Sequence, residues 1–133
     1  MIVVDASVVV TALGDDGTDG DATRSRLRNE RLAAPHLIDL EVASAWRRLS
    51  AAGHLPPRRV ELALADLVAL RLERVPHGPL LPRCWELRDN LTVYDAAYVA
   101  LAEALEATLL TADVRMTDAP GCRCPIEVLT PAS

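Results

Sequence analysis

Short apolar segments that alternate with longer helical segments are the feature that most limits what this chain can fold into. Residues 2–4 read Ile-Val-Val, residues 108–111 read Thr-Leu-Leu-Thr, and residues 126–129 form a similar run. Runs of this length are typical of strands. A weaker strand is predicted at 32–34, and Val75 is expected to belong to another. Strands separated by helices pair in parallel, and such a sheet is covered on both faces. The sequence therefore predicts an α/β fold, in which ligands bind beyond the carboxyl ends of the strands.

Apolar residues at a period near 3.6 predict the helices between these strands. The predicted helices span 6–13, 22–31, the segment from Pro35 to about Ala52, a segment that opens at Pro56-Pro57, 81–87 and 92–104. The buried face of the fourth helix is predicted to contain Val60, Leu64, Leu67, Val68 and Leu72. Residues 14–21 are rich in Gly and Asp and are predicted to form a loop. A calcium loop is excluded there, because Arg26 stands where such a loop needs a Glu.

Length and composition predict one soluble domain. A chain of 133 residues is large enough to bury a core, and with no Phe, two Trp and two Tyr that core must be aliphatic. Trp46 is expected to belong to it. No apolar run reaches the roughly 18 residues that a membrane span needs, and Met-Ile-Val-Val-Asp does not resemble a signal or transit peptide. We therefore expect a single domain, residues 1–133, in a cytoplasmic protein that does not bind membranes.

The three cysteines are Cys84, Cys122 and Cys124. The spacing Cys122-x-Cys124 is shorter than the usual zinc and redox motifs. We interpret all three as buried or incidental thiols in a reducing compartment.

All fourteen basic residues are Arg, and the chain contains no Lys. This excludes mechanisms that need a catalytic lysine, and it sets aside phosphatases of the haloacid dehalogenase type and phosphoacceptor receiver domains. The formal net charge of −5 argues against a surface that binds nucleic acid through overall positive charge. Arg24, Arg26 and Arg28 are nonetheless candidates for contacting a phosphate backbone, since Arg suits bidentate phosphate contacts. A solvated helix face is the alternative interpretation.

Four acidic residues occupy positions where local structure gives weak reasons for an acid. Asp5 and Asp113 follow predicted strands, Glu41 interrupts an apolar helix face, and Asp95 lies in the first turn of a helix. Ordinary alternatives are a helix cap for Asp5 and Asp95, an Arg partner for Glu41 and a turn for Asp113. Asp118 is a loop acid that could reach the same cleft. Carboxylates that converge at the strand ends would suit Mg²⁺ or Mn²⁺.

Four segments of the chain resemble PIN-domain proteins, specifically the VapC ribonuclease toxins of bacterial toxin–antitoxin pairs. The segments are 3–7 (Val-Val-Asp-Ala-Ser), 39–42 (Asp-Leu-Glu-Val), 94–103 (Tyr-Asp-Ala-Ala-Tyr-Val-Ala-Leu-Ala-Glu) and 109–113 (Leu-Leu-Thr-Ala-Asp). The resemblance implies a three-layer α/β/α sandwich with a central parallel sheet. It also implies a Mg²⁺- or Mn²⁺-dependent endoribonuclease that cleaves structured RNA such as tRNA or rRNA. The expected partners are a second copy of the chain in a homodimer and a cognate antitoxin.

The resemblance also assigns roles to individual residues. Asp5, Glu41, Asp95 and Asp113 fall on the family's acidic positions and would be the catalytic acids, and Ser7, Thr92 and Thr111 fall where small polar residues support those acids. Our own hypothesis is that Asp5, Asp95 and Asp113 are the metal ligands. The motif does not place Asp118, which is a candidate auxiliary acid, and Arg24 and Arg28 are candidate RNA contacts because of their charge. Glu41 would complete the site or orient the attacking water. Two other hypotheses are a non-catalytic binding module, whose acids bind Arg side chains of a partner, and a structure-specific DNA nuclease.

Overall fold

A computed structural model describes residues 1–130 and contains one five-stranded parallel sheet. The strands are β1 (Ile2–Val4), β2 (Leu32–Pro35), β3 (Leu72–Val75), β4 (Thr108–Thr111) and β5 (Ile126–Val128), in the spatial order β3-β2-β1-β4-β5. Six helices flank the sheet: α1 (Ala6–Gly14), α2 (Thr18–Leu27), α3 (Ile38–Ala51), α4 (Pro57–Ala69), α5 (Leu81–Glu86) and α6 (Val93–Ala104). Two 3₁₀ helices span Gly78–Leu80 and Val114–Asp118. The prediction of an α/β sandwich with a central parallel sheet is confirmed.

The register of the sheet brings residues that are distant in sequence to the same edge, the one formed by the carboxyl ends of the strands. Val4, the last residue of β1, is paired with Leu110 of β4. Asp5 follows β1 directly, and Asp113 lies two residues after β4. Parallel strands end at the same edge of a sheet, so the acids at positions 5 and 113 lie at a common edge although 108 positions separate them in the chain.

The core is aliphatic, as predicted. Val3, Val4, Leu109 and Leu110 are fully buried in the two central strands. Residues 96–102 of α6 are all buried, so this helix is covered on every side. Trp46 is fully buried, and its indole N–H donates to a backbone carbonyl of α1. No helix within residues 1–130 is long and apolar enough to span a bilayer. All three cysteines are free thiols.

The predicted loop at 14–21 is wrong in its second half, because α2 begins at Thr18 rather than at residue 22. The carboxylate of Asp15 accepts hydrogen bonds from the backbone N–H groups of Gly17 and Gly20, which satisfies donors at the start of the helix. A Cβ atom at Gly20 would lie 1.8 Å from the carbonyl oxygen of Asp15, so this contact requires glycine. The helix also ends earlier than predicted, and Arg28 lies beyond its last residue.

The predicted buried face of α4 is also wrong in part. The helix ends at Ala69, so Leu72 belongs to β3 instead. Ala63 and Leu67, four residues apart, are buried, whereas Leu64 is 37% exposed and Val68 is 82% exposed. Ala63 belongs to the packed face although its side chain is small. A prediction that looks only for large apolar residues overlooks such a position.

Candidate active site

Asp5 is the most deeply placed of the candidate acids, with 8% of its surface exposed. One carboxylate oxygen accepts hydrogen bonds from the Ser7 hydroxyl at 2.5 Å and from the Val8 N–H at 3.4 Å. The other accepts from the Thr111 hydroxyl. Asp5 therefore caps α1 and is also held from β4. Burial raises the pKa of Asp5, and these hydrogen bonds offset only part of that effect.

Ser7 and Thr111 connect Asp5 to the loop after β4. The Ser7 hydroxyl oxygen accepts from the Ala112 N–H at 3.0 Å. The Thr111 hydroxyl oxygen accepts from the Asp113 N–H at 3.0 Å. Each hydroxyl donates to Asp5 and accepts from this loop, so the carboxylate at position 5 and the backbone at position 113 are positioned together.

Glu41 lies half-buried on α3, and its carboxylate accepts a hydrogen bond from the Tyr98 hydroxyl at 2.5 Å. Burial raises the pKa of Glu41, and the negative charges of Asp95 and Asp5 raise it further, whereas the Tyr98 hydroxyl lowers it. The alternative interpretation, an Arg partner for Glu41, is wrong. The group that donates a hydrogen bond to Glu41 is the hydroxyl of a tyrosine.

Asp95 lies in the first turn of α6, where its N–H donates to the Thr92 hydroxyl at 3.1 Å. Thr92 is therefore the N-cap residue of this helix, and this hydrogen bond is the half of the predicted capping box in which Thr92 accepts from the Asp95 N–H. Burial raises the pKa of Asp95, and the negative charge of Asp113 raises it further. The hydroxyl of Thr92 and the charge of Arg115 act in the opposite direction.

Asp113 differs from the other acids because it has a cationic partner. Its two carboxylate oxygens accept from Nε and Nη2 of Arg115, at 3.0 and 2.9 Å, and one of them also accepts the Arg115 N–H. This pair lowers the pKa of Asp113. Asp113 also caps the 3₁₀ helix that follows β4, so the turn interpretation describes its local role.

The four acids form one electrostatic group. The charge of Asp95 raises the pKa values of Asp5 and Glu41, and Asp113 raises that of Asp95. Within residues 1–130, Asp5, Glu41 and Asp95 form no ion pair with an Arg or His side chain. Asp5, Glu41 and Asp95 are thus near enough for their negative charges to act on one another, and none of the three has a paired cation, so their ionised forms are disfavoured unless a cation joins them.

The donor set fits Mg²⁺ or Mn²⁺ in its chemistry, because it consists of carboxylate and hydroxyl oxygens without thiolate. The side chains are not arranged as a closed cage, since no three His, Cys, Asp or Glu residues among 1–130 form a group that could hold a metal ion. Asp5 is held by two hydroxyls, Glu41 by Tyr98 and Asp113 by Arg115. For Asp113 to serve as a cation ligand, the Arg115 side chain would have to leave its carboxylate.

Tyr98 and Arg115 were not predicted as site residues. Tyr98 lies three residues after Asp95, and this spacing places both on one side of a helix, a signal that was present in the sequence. The Tyr98 side chain is 1% exposed. Arg115 is two residues after Asp113, but nothing in the local sequence shows that its side chain turns back to the carboxylate.

Three other candidates lie outside this group of hydrogen bonds. Asp118 is exposed at the end of the second 3₁₀ helix. The guanidinium group of Arg24 donates to the carbonyl oxygens of Ala12 and Asp15, at 2.9 and 2.8 Å, and pairs with Asp21 at 2.6 Å. Arg24 thus holds α2 against the end of α1. Arg28 is exposed just beyond α2 and stays a candidate for RNA contact.

Comparison with known proteins identifies the family to which this chain belongs. The model of the PIN domain matches residues 2–121. Ribonuclease VapC9 of Mycobacterium tuberculosis is 46% identical over 129 residues, which cover 97% of this chain and 98% of that protein. Ribonuclease VapC1 of the same organism is 43% identical over 128 residues, covering 96% of each chain.

Solved structures support the same fold at much lower sequence identity. VapBC2 from Rickettsia felis, bound to a DNA fragment from its promoter, aligns with a TM-score of 0.69 at 18% identity, covering 96% of this chain and 98% of that one. VapC20 of Mycobacterium tuberculosis, described as a sarcin-ricin loop cleaving toxin, aligns with a TM-score of 0.66 at 16% identity, covering 90% and 95%. From the family match and the full-length relatives together, we conclude that this chain is a member of the PIN-domain family, within its VapC group.

Proposed function

We propose that this protein is a metal-dependent endoribonuclease toxin that cleaves structured RNA, such as tRNA or rRNA, by in-line attack of water on a phosphodiester. The observation that carries the proposal is that the Thr111 hydroxyl joins the carboxylate of Asp5 to the backbone of Asp113 at the carboxyl ends of β1 and β4. Glu41 and Asp95 support it, since the negative charge of Asp95 raises the pKa values of Asp5 and Glu41, and none of the three has a paired cation among residues 1–130. The names of the relatives support it, since VapC9 and VapC1 are both called ribonucleases.

In this proposal each residue of the site has its own role. Asp5, Asp95 and Asp113 would hold Mg²⁺ or Mn²⁺ directly or through water. When bound, such an ion stabilises the negative charge that develops at the cleaved phosphodiester. Glu41, oriented by the Tyr98 hydroxyl, would accept the hydrogen bond of the attacking water and align it with phosphorus.

Two hydroxyl residues would keep this site in order. Ser7 and Thr111 hold both oxygens of Asp5, so the carboxylate cannot rotate freely. Such outer hydrogen bonds orient ligating groups and tune their affinity. Arg115 covers Asp113 in this arrangement and would have to move before Asp113 could serve as a ligand.

Partners and location are part of the same proposal. We infer a cognate antitoxin, a homodimer and a cytoplasmic location. Solved relatives in fold include VapBC2 from Rickettsia felis and a toxin–antitoxin complex from Klebsiella pneumoniae. The pairing of Arg115 with both carboxylate oxygens of Asp113 supports this inference, because an acid of this site already accepts a guanidinium group. An Arg side chain of an antitoxin could therefore pair with the remaining carboxylates.

The decisive experiment compares wild type with Asp95→Asn. Purified wild-type protein should cleave RNA with Mg²⁺ or Mn²⁺, and the variant should not, although its circular dichroism spectrum is unchanged. Asp66→Asn, which alters an exposed acid of α4, is the matched control and should keep full activity. Equal RNA degradation by wild type and Asp95→Asn would identify the activity as contamination and overturn the proposal.

Metal binding is tested separately from cleavage. Isothermal titration with Mn²⁺ should show uptake by wild type and weaker uptake by Asp5→Ala. Unchanged uptake would remove Asp5 from the set of ligands.

A further inference from the structure

Among the Trp and Tyr residues within the described part of the chain, residues 1–130, Tyr94 alone is open to solvent without a partner on its ring. The chain has four aromatic residues of the Trp and Tyr types and no Phe. Trp46 and Tyr98 are buried. Trp85 is exposed, but the guanidinium carbon of Arg88 lies 4.4 Å from the centre of its ring. Tyr94 is 64% exposed, and it immediately precedes the candidate catalytic acid Asp95.

Tyr94 lines an open hollow beside the acidic site. The hollow has a volume of about 250 Å³ and is lined by Leu40, Glu41, Ser44, Arg48 and Tyr94. Leu40 is 78% exposed, so an apolar side chain and an aromatic ring lie on the same hollow. Because Glu41 belongs both to this hollow and to the acidic group, a ligand in the hollow would lie next to the site of cleavage.

Arg48 gives the hollow a positive group. Its Nη1 donates to the hydroxyl of Ser44 at 3.0 Å, one helical turn earlier on α3. It forms no ion pair with a carboxylate in the part of the chain that the structure describes. A guanidinium group has five N–H donors in a planar fork, so most of those of Arg48 remain for another acceptor. A phosphate group is the acceptor that this fork matches best.

An aromatic ring, an apolar side chain and an unpaired guanidinium group together match the parts of one nucleotide. We propose that this hollow binds a single unpaired nucleotide of the RNA substrate, next to the cleaved phosphodiester, with its base stacked on Tyr94 and its phosphate against Arg48. The inference rests on the proposed ribonuclease function and adds to it a preference for unpaired RNA. A base inside a duplex is stacked on both sides and cannot reach such a ring, whereas a base in a loop can.

The test measures binding rather than cleavage. In an inactive Asp113→Asn background, fluorescence anisotropy would report the affinity for an unstructured oligoribonucleotide and for a fully paired RNA duplex. Tyr94→Ala and Tyr94→Leu should weaken binding of the unstructured RNA roughly 5- to 150-fold, the range that base–aromatic stacking contributes. Tyr94→Phe should bind like the parent, because it keeps the ring. Duplex binding should change less than about twofold.

Matched controls isolate each group of the hollow. Trp85→Ala removes the other exposed aromatic residue and should leave the affinity unchanged. Arg48→Gln should reduce the slope of log K against log salt by about 0.7, the value for one phosphate contact in a single strand. Arg47→Gln, on the neighbouring exposed position of α3, should leave that slope unchanged.

The outcomes separate this inference from the function on which it rests. If wild type cleaves RNA but the Tyr94 variants bind unpaired RNA as the parent does, the nucleotide site is overturned and the ribonuclease function stands. If the Tyr94 variants lose antitoxin binding instead of RNA binding, the hollow belongs to the antitoxin, and the inference is again overturned. If wild type neither binds nor cleaves RNA, the proposed function fails and the nucleotide site with it.

Discussion

The hydroxyl group of Thr111 donates a hydrogen bond to a carboxylate oxygen of Asp5, which lies 106 positions earlier in the chain. The same hydroxyl oxygen accepts from the N–H of Asp113. One buried side chain on β4 thus connects the acid that follows β1 with the backbone of the acid that follows β4. The geometry of both acids depends on this residue.

Thr111→Val tests that dependence, because it replaces the hydroxyl by a methyl group of similar size. The buried carboxylate of Asp5 loses one of its donors, and we expect a loss of about 1–3 kcal/mol in the free energy of unfolding at neutral pH. Displacement of Asp5 and Asp113 should lower the rate of RNA cleavage by roughly 10- to 100-fold. Thr108→Val, at the other end of the same strand, is the control. Cleavage at the wild-type rate by Thr111→Val would show that this hydroxyl does not position the site.

Asp95→Asn should stabilise the protein when metal is absent. Burial raises the pKa of Asp95 above its unfolded value of 3.8, so the stability that Asp95 contributes is complete below pH 3.8 and is lost as the pH rises through the folded pKa. The neutral amide avoids this loss. In EDTA we expect a Tm at pH 7.5 that is higher than that of wild type by on the order of a few °C, and a difference near zero at pH 3.5. A lower Tm at pH 7.5 would contradict the conclusion that burial, together with the charge of Asp113, disfavours the ionised form of Asp95.

Tyr98→Phe should change the pH dependence of cleavage. The Tyr98 hydroxyl lowers the pKa of Glu41, although burial, the larger effect, keeps it above the ordinary value. Without the hydroxyl the pKa of Glu41 rises further, and ionised Glu41 is reached only at higher pH. We expect the acid limb of the kcat/KM profile to move to higher pH, with most of the activity retained at pH 8. An unchanged acid limb would show that Glu41 does not titrate in the reaction.

Four of the five described strands were predictable because they are short, largely apolar and bounded by residues of other types. The strand β3 reads Leu-Glu-Arg-Val, and only its last residue, Val75, was predicted. The predicted strand at 108–111 has the bounds of β4. The start of α2 was not predictable by the same reasoning, since it depends on the contact of Gly20 with the Asp15 carbonyl. The buried face of α4 was missed because Ala63, rather than the larger Leu64, packs against the core.

The candidate acids were predictable because they interrupt apolar segments or follow strands, so each one contradicts its local pattern. The hydrogen-bond and ion-pair partners of these acids were not predictable from the sequence. The hydrogen bond from Tyr98 to Glu41 joins residues 57 positions apart, and it forms only after the helices α3 and α6 have packed. The orientation of Arg115 depends on side-chain rotamers, which carry no signal in the sequence.

Arg115→Ala should strengthen metal binding. The guanidinium group of Arg115 occupies both carboxylate oxygens of Asp113, so it competes with a cation for that acid. We expect Mn²⁺ to bind roughly two- to fivefold more tightly to the variant in isothermal titration, a modest gain because the ion pair is exposed to solvent. Arg31→Ala, which changes an exposed arginine at the opposite edge of the sheet, is the control. Weaker or unchanged Mn²⁺ binding by Arg115→Ala would exclude this competition.

Arg26 should contribute to stability rather than to RNA binding. Its Nε and Nη2 atoms donate to the two carboxylate oxygens of Glu127, at 2.6 and 2.9 Å, and thereby join α2 to β5. Glu127 is 42% exposed in its side chain, so solvent screens the pair, and a double-mutant cycle with Arg26→Ala and Glu127→Ala should give a coupling free energy of about 0.5–1 kcal/mol. RNA affinity of Arg26→Ala should equal that of wild type, because the guanidinium group is already engaged within the protein. If RNA affinity falls while denaturant unfolding is unchanged, Arg26 faces RNA in the complex, and the pair with Glu127 is not its main role.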